Sequence, residues 1–329
     1  MSTRREFVAG LAGAAAALPL TARAQQPAMP VIGFLSPVSA ATSARNIAAL
    51  RQGLRNLGYV EGRDIAIEYR FAEGISERLS RFTAELVELK PVAIVVGSTT
   101  GIVRASKITQ TVPLIVIGAT DDPVLLGLAE SISRPGRNVT GFMLTLGQDI
   151  LGKKLQLLRD VIPGLSRVGV MGNPDSPGDA AELRMVPSLA GQIGLQYRLL
   201  EVRTVEELEA AFPTAARDEL QALYISWNPV FNVHRARIVA MVAGLRLPAM
   251  YGFRDFVQSG GLMSYGPDLP DLYQRSATYV DKILKGEKVG GLPLQLAERY
   301  ELVINLQTAK ALGLSISEAF LLLADEVIE

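Results

Sequence analysis

Short apolar runs alternate with amphipathic stretches along most of this chain. The runs occupy positions 31–35, 92–96, 114–117, 168–171 and 222–225. Runs that are apolar at nearly every position are typical of parallel strands buried on both faces. Between them, apolar residues recur three or four positions apart, as at Leu50, Leu54 and Leu57, which is the spacing of a buried helix face. This alternation predicts an α/β fold with right-handed crossovers.

The alternation runs once to about Gly141 and again from there to about Gly260. A chain of 329 residues also exceeds the size of one comfortable hydrophobic core, so we expect two lobes. No Ser- or Pro-rich linker separates the two halves. We therefore expect the chain to pass between the lobes in ordered segments.

The first 24 residues predict an export signal. Arg4 and Arg5 precede an apolar run at 7–20, which is too short for a membrane span of about 20 residues. Ala22 and Ala24 then supply the small residues that a signal peptidase recognises. The segment 3–8 is similar to a twin-arginine signal, whose pathway exports folded proteins. We expect cleavage near Ala24 and a periplasmic location.

Charge and composition exclude several classes of function. Lys and Arg together number 33, as do Asp and Glu, so neither a nucleic acid nor an anionic membrane is an expected partner. The chain has no Cys, which removes disulfides and thiolate metal sites. It has a single His, His234, which makes most acid–base and metal chemistry improbable.

Motifs for catalysis or nucleotide binding do not assemble either. The segment 147–153 matches the start of a phosphate-binding loop, but Lys154 stands where magnesium coordination requires Ser or Thr. Neither a nucleophile elbow nor a zinc-binding motif occurs. We expect no enzyme, no cofactor and no metal. Catalysis by a pair of carboxylates stays an alternative at this point, because the two residues of such a pair can be far apart in the chain.

Small polar turns follow the predicted strands, and these are the places where open parallel sheets bind ligands. The candidate ligand-binding residues in and near these turns are Ser36, Ser98, Thr99, Thr120, Asp121, Asn173, Trp227, Asn228, Tyr251 and Tyr265. Ser98 and Thr99 also suit the cap of a following helix. Asp122 with Pro123 reads as a helix start, which leaves Asp121 freer to meet a ligand ammonium. Trp227, Tyr251 and Tyr265 fit either a ligand contact or core packing.

Several segments, in order along the chain, carry a family likeness. They lie at 53–62, 122–124, 134–141, 248–252, 260–266, 302–306 and 311–314, and include the stretches RPGRNVTG and GGLMSYG. With them the chain resembles the substrate-binding proteins of ABC transporters that are related to tryptophan- and tyrosine-binding proteins. The likeness spans essentially the whole chain after the export signal.

The resemblance implies a type I periplasmic-binding-protein fold, with two Rossmann-like lobes of parallel sheet joined by three crossovers. By analogy, lobe one comprises 29–142 and 266–290, and lobe two comprises 143–265 and 291–329. It also implies that a ligand carboxylate meets Ser98 and Thr99, with Thr120 and Asp121 nearby. The residues expected to close from the second lobe are Asn173, Trp227, Asn228, Tyr251 and Tyr265. Relatives commonly carry a smaller polar residue at the position of Trp227, so an indole there would reshape the pocket.

The function implied by the resemblance is capture of a small carboxylate-bearing solute, such as an aromatic or apolar amino acid, by lobe closure. The solute would pass to an ABC permease, which would be the only link to the membrane, and we expect a monomer. One alternative is the ligand-sensing component of a signalling receptor, and another is an exported hydrolase. A neighbouring permease gene would distinguish the transporter from the receptor.

The export signal makes a direct prediction. N-terminal sequencing of the exported protein should begin at or near Gln25, because Ala22 and Ala24 mark the cleavage site. Recovery of exported protein that still begins at Met1 would contradict the signal.

Overall fold

A computed structural model describes residues 29–144 and 148–329. The expected export signal in residues 1–24 lies outside the described residues. Within the described ranges the chain forms two β-sheets flanked by helices. None of the helices found there is long and apolar enough to cross a membrane.

The first part of the chain builds the first sheet. Its elements are β1 (Val31–Ser36), α1 (Ala40–Asn56), β2 (Ala66–Phe71), α2 (Ser76–Glu88), β3 (Ala93–Val96), α3 (Thr99–Ile108), β4 (Leu114–Ala119) and β5 (Val139–Met143). The segments α10 (Leu269–Leu284) and β11 (Leu294–Leu296) return to it from later in the chain. The strand order is β11-β5-β4-β3-β1-β2, and the neighbouring strands pair in parallel.

The middle and the end of the chain build the second sheet. Its elements begin with α4 (Gln148–Val161), β6 (Arg167–Gly172), α5 (Pro177–Gln192), β7 (Gln196–Glu201), α6 (Val205–Arg217) and β8 (Ala222–Ile225). They continue with α7 (Pro229–Val233), α8 (Arg235–Gly244), β9 (Ala249–Tyr251), α9 (Arg254–Gln258) and β10 (Met263–Pro267). The last are β12 (Tyr300–Asn305), α11 (Leu306–Ala311), α12 (Glu318–Leu321) and β13 (Glu326–Ile328). The order is β13-β12-β10-β9-β8-β6-β7, and the pairing is parallel except between β10 and β12.

This architecture confirms the predicted fold of two lobes. The chain passes from one sheet to the other after β5, after β10 and after β11. Two predicted boundaries are shifted by one or two residues, since β5 ends at Met143 and β10 at Pro267. The larger difference is at the end of the chain, where the prediction assigned everything after residue 290 to the second lobe. Leu294 pairs with Gly141, so β11 completes the edge of the first sheet next to β5. The last passage therefore falls between β11 and β12.

The continuous apolar runs are explained by cores on both faces of each sheet. In the first lobe, Phe34 and Val95 point into one apolar cluster, whereas Leu35 and Val96 point into the cluster on the opposite face. Successive side chains of a strand alternate between faces, so a strand covered on both sides has to be apolar at every position.

The two lobes are in contact along the edges where the strands end. Arg235 on α8 donates a hydrogen bond from Nη1 to Thr42 Oγ1 on α1, at 3.2 Å. Phe253, which follows β9, packs into the apolar core of the first lobe. The turns that follow the strands of the two sheets therefore face each other across a narrow cleft.

Candidate ligand-binding site

A cavity of about 320 Å³ lies between the lobes. Its first-lobe wall comes from the turn after β4 and from Leu144. The second-lobe wall comes from one face of α5, from α4 and from the turns after β8 and β9. The volume is at the lower end of the range of about 300–1,000 Å³ that small-molecule sites occupy.

Hydrogen bonds hold the first-lobe wall in place. The backbone N–H of Thr120 donates to Thr99 Oγ1 at 2.9 Å, and the Thr120 hydroxyl donates to Asp121 Oδ2 at 3.2 Å. Burial raises the pKa of the Asp121 carboxyl, and the hydrogen bonds from Thr120 and Thr99 partly oppose that shift. Ser98 Oγ accepts the N–H of Gly101 at 2.9 Å and so caps α3. Thr120 and Asp121 line the cavity, while Ser98 and Thr99 lie behind them.

The second-lobe wall is centred on Asp179, in the first turn of α5, which is only 2% exposed. Its Oδ2 accepts the backbone N–H of Asn173 at 2.7 Å, the hydroxyl of Ser226 at 2.9 Å and the amide of Asn228 at 2.8 Å. These partners follow the ends of β6 and β8, which are neighbours in the sheet. Parallel pairing thus brings three donors to one carboxylate oxygen.

Asp179 carries a charge that no basic side chain balances within the described ranges of the chain. No basic side chain of the described residues forms an ion pair with it, and the side chain lines the cavity. Burial raises the pKa of Asp179 to about 7, and the neighbouring Glu182 acts in the same direction, whereas the three hydrogen bonds oppose the shift. Such a carboxylate is a strong acceptor for a cation that enters the cavity.

A buried network lies next to Asp179. Lys154 Nζ, on α4, donates to Glu182 Oε1 at 3.1 Å and to the Tyr224 hydroxyl at 2.8 Å. The Tyr224 hydroxyl lies 2.7 Å and 2.8 Å from the two carboxylate oxygens of Glu182. Burial, reinforced by the charge of Glu182, raises the pKa of Tyr224 far above its ordinary range, so the phenol stays protonated and donates. Lys154 and Glu182 both line the cavity.

Aromatic side chains close the apolar side of the cavity. The rings of Trp227 and Phe253 are 5.0 Å apart between centroids, and both line it. Trp227 also packs against apolar clusters of both lobes. Ligand contact and packing, which the sequence left as alternatives for Trp227, are therefore compatible in one side chain.

The other expected site residues take supporting places. Asn173 and Asn228 are buried, with 9% and 2% of their surface exposed. They hydrogen-bond to Asp179 and do not line the cavity themselves. Ser36 lines a separate small cavity of about 30 Å³ next to Trp227, and its hydroxyl is 2.8 Å from that of Ser43.

The two tyrosines differ from the expected cleft walls. Tyr251 is 1% exposed and stacks on Phe256 in the core of the second lobe, with ring centroids 4.9 Å apart. Its side chain points to one face of the sheet, whereas the preceding Met250 points to the other. Tyr265 stacks on Tyr300 at 5.9 Å, and of this pair it is Tyr300 that lines the cavity.

Sequence reasoning missed most of the charged wall. Asp179, Glu182 and Arg184 lie on α5, and Lys154 lies on α4, so none follows a strand directly. The sequence feature that could have indicated this wall is the spacing of Asp179 and Glu182, since residues three apart lie on the same face of a helix. The described residues contain no group of three His, Cys, Asp or Glu side chains placed to hold a metal ion.

Comparisons with known proteins agree with this architecture. The family model for ABC transporter substrate binding proteins matches residues 31–328. A tyrosine-binding protein of Clostridioides difficile (strain R20291) is 26% identical over 264 residues, which cover 80% of this chain and 75% of the relative.

Solved structures share the fold. An ABC domain from Streptococcus pneumoniae in complex with L-Trp superposes with a TM-score of 0.83 at 22% identity, over 91% of this chain and 100% of that one. A ligand-free, open substrate binding protein with adhesive properties from Clostridium difficile gives a TM-score of 0.68 at 20% identity, over 91% and 99% of the two chains. With its two lobes and the family match over nearly all described residues, the chain belongs to the ABC transporter substrate-binding proteins, which bind solutes and are not enzymes.

Proposed function

We propose that this protein captures an α-amino acid with an aromatic or apolar side chain in the cleft between its lobes. The observation that carries the proposal is Asp179, a buried carboxylate that lines the cavity without an ion-pair partner among the described residues. The ligand ammonium supplies the missing positive charge.

The carboxylates that a ligand cation could balance lie in the second-lobe wall. Asp179 and Glu182 are two buried or half-buried carboxylates, and Lys154 is the only cation hydrogen-bonded to either of them within the described chain. A buried charge is costly unless it is paired. A ligand cation next to Asp179 would balance the group and form a charge-assisted hydrogen bond.

The rest of the cavity favours an apolar ligand body. Ile150, Met185, Trp227 and Phe253 line it together with Leu144. Apolar lining with a few polar anchors is the usual composition of a small-molecule site. Relatives described as a tyrosine-binding protein and as a complex with L-Trp support an aromatic amino acid.

Export and delivery complete the proposal. The signal predicted in residues 1–24 supports a periplasmic location, and membership of the family supports delivery of the ligand to an ABC permease.

We further propose that the ligand is trapped by lobe closure. The contacts between Arg235 and Thr42, and the seating of Phe253 in the first-lobe core, belong to a form in which the lobes touch. An open, ligand-free structure in the family supports a second form. The ligand favours closure because it contacts both walls only when they are close.

Replacement of Asp179 tests the ammonium anchor. In D179N the amide keeps the shape of the side chain and removes its charge, so the affinity for L-tyrosine or L-tryptophan should fall about 10- to 100-fold, the equivalent of about 1.5–3 kcal/mol. Isothermal titration calorimetry measures this change. The matched control is D175N, in the same β6–α5 turn, since Asp175 is exposed and does not line the cavity. Equal affinities for D179N and wild type would refute the anchor.

The affinity should also depend on pH. Because the pKa of Asp179 in the ligand-free protein is raised to about 7, the carboxyl must lose a proton before it can pair with an ammonium below that pH. We expect the affinity to fall by up to about tenfold for each pH unit below 7 and to be flat just above it. D179N should lose this dependence and D175N should keep it. The stability of the ligand-free protein should depend on pH in the opposite direction. The folded protein holds the Asp179 proton more tightly than the unfolded chain does. The contribution of this group to the free energy of unfolding is therefore lost as pH rises towards 7.

Lobe closure is tested at Gly178. A Cβ atom at this position would lie 2.2 Å from Thr120 Oγ1 of the opposite lobe, so a methyl group obstructs the closed form and leaves an open form unaffected. G178A should bind ligand about tenfold more weakly, with an unchanged Tm in the absence of ligand. G191A, on the same helix where a Cβ meets nothing within 4 Å, is the control. Unaltered affinity in G178A would argue against closure at this contact.

A further inference from the structure

Lys154 is a buried cation in the wall of the cavity. Its residue is 6% exposed, and its Nζ lies 4.9 Å from the centroid of the Tyr224 ring. A lysine ammonium carries three hydrogens. Glu182 and Tyr224 accept two of them, and no other acceptor among the described residues bonds to Nζ. Since Lys154 lines the cavity, a third hydrogen is available to a ligand there.

The position of this network is not explained by stability alone. A buried Lys–Glu pair is often no more stable than apolar residues of similar size. This pair also lies at the cavity wall and not in the centre of the lobe, because Lys154 and Glu182 both contact the open space. A role towards the ligand accounts for both the charge and its place.

Asp179 and Lys154 line the same cavity and are both neighbours of Glu182. Asp179 and Glu182 are three residues apart on α5 and so share a helix face, and Lys154 Nζ is 3.1 Å from Glu182 Oε1. A negative acceptor and a positive donor therefore lie on the same wall of the cavity. An α-amino acid presents the complementary pair, an ammonium and a carboxylate on the same carbon.

We propose that Lys154 binds the carboxylate of the ligand while Asp179 binds its ammonium, so that the second lobe recognises the zwitterion. This assignment rests on the proposed capture of an amino acid and adds the residue that selects for the carboxylate. It differs from the expectation that Ser98 and Thr99 receive the carboxylate. The Ser98 hydroxyl caps α3, the Thr99 hydroxyl holds Thr120, and neither residue lines the cavity.

Arg184 is the alternative cation. It lines the cavity from α5, but it is exposed, and its charge acts on Asp121 of the opposite lobe. An exposed, solvated guanidinium orders a carboxylate less well than a buried ammonium already held by two hydrogen bonds. R184M therefore serves as the control variant for Lys154.

The test compares amino acids with their decarboxylated analogues. Calorimetry of the exported chain measures L-tyrosine against tyramine and L-tryptophan against tryptamine. Wild type should bind each amino acid about 10- to 100-fold more tightly than its amine. The double variant K154M/E182Q removes both charges of the pair, so that Glu182 is not left as a carboxylate without its cation, and should lose most of that preference while still binding the amines. R184M should keep the preference.

The outcomes separate the two proposals. Equal binding of amino acid and amine by wild type, or a preference that persists in K154M/E182Q, overturns the role of Lys154 and leaves the ammonium anchor intact. A preference lost only in R184M transfers the role to Arg184. Failure of wild type to bind any of the four compounds refutes the proposed function itself. If the double variant does not fold, as judged by thermal unfolding, the single variant K154M takes its place, and an unchanged preference there overturns the role of Lys154.

Discussion

Parallel pairing aligns the ends of β6 and β8, with Met171 opposite Ile225, and the second wall of the cavity depends on this register. The residues that follow the two strands approach each other from turns more than fifty positions apart in the chain. Asn173, Ser226 and Asn228 then direct their donors to one oxygen of Asp179. The hydrogen bonds that place the carboxylate are thus a consequence of the sheet. Without the parallel register, the first turn of α5 would have no such partners.

Asp179 has two roles: its hydrogen bonds connect α5 to the strand ends, and its side chain lines the cavity. Three hydrogen bonds stabilise its ionised form, yet burial disfavours it more, and the pKa rises to about 7. The hydrogen bonds thereby compensate this charge only in part, and in the proposed function the ligand ammonium supplies the rest. A cation that pairs with this buried carboxylate gains an interaction in surroundings where electrostatic attraction is stronger than in bulk water.

Much of the architecture could be predicted from the sequence, because continuous apolar runs and helical spacing depend on local pattern. The positions of Thr120, Asp121 and Trp227 at the cavity followed from the same reasoning, since each is the first or second residue after a strand. The orientation of Tyr251 could not be predicted in this way. This tyrosine is the last residue of β9, and only the pairing and packing of that strand decide that its ring faces the core. A shift of one residue would have reversed the face.

By itself, the sequence determined the α/β alternation, the division into two lobes and the turns that follow the strands, because each is encoded in residues close together in the chain. Only the tertiary structure decided which helix faces meet the cavity. Asp179, Glu182 and Lys154 lie on α5 and α4, and their helices are oriented by packing against a sheet whose strands come from distant segments. A buried charge is recognisable only when its partners are known, and those partners are neighbours in space, not in sequence.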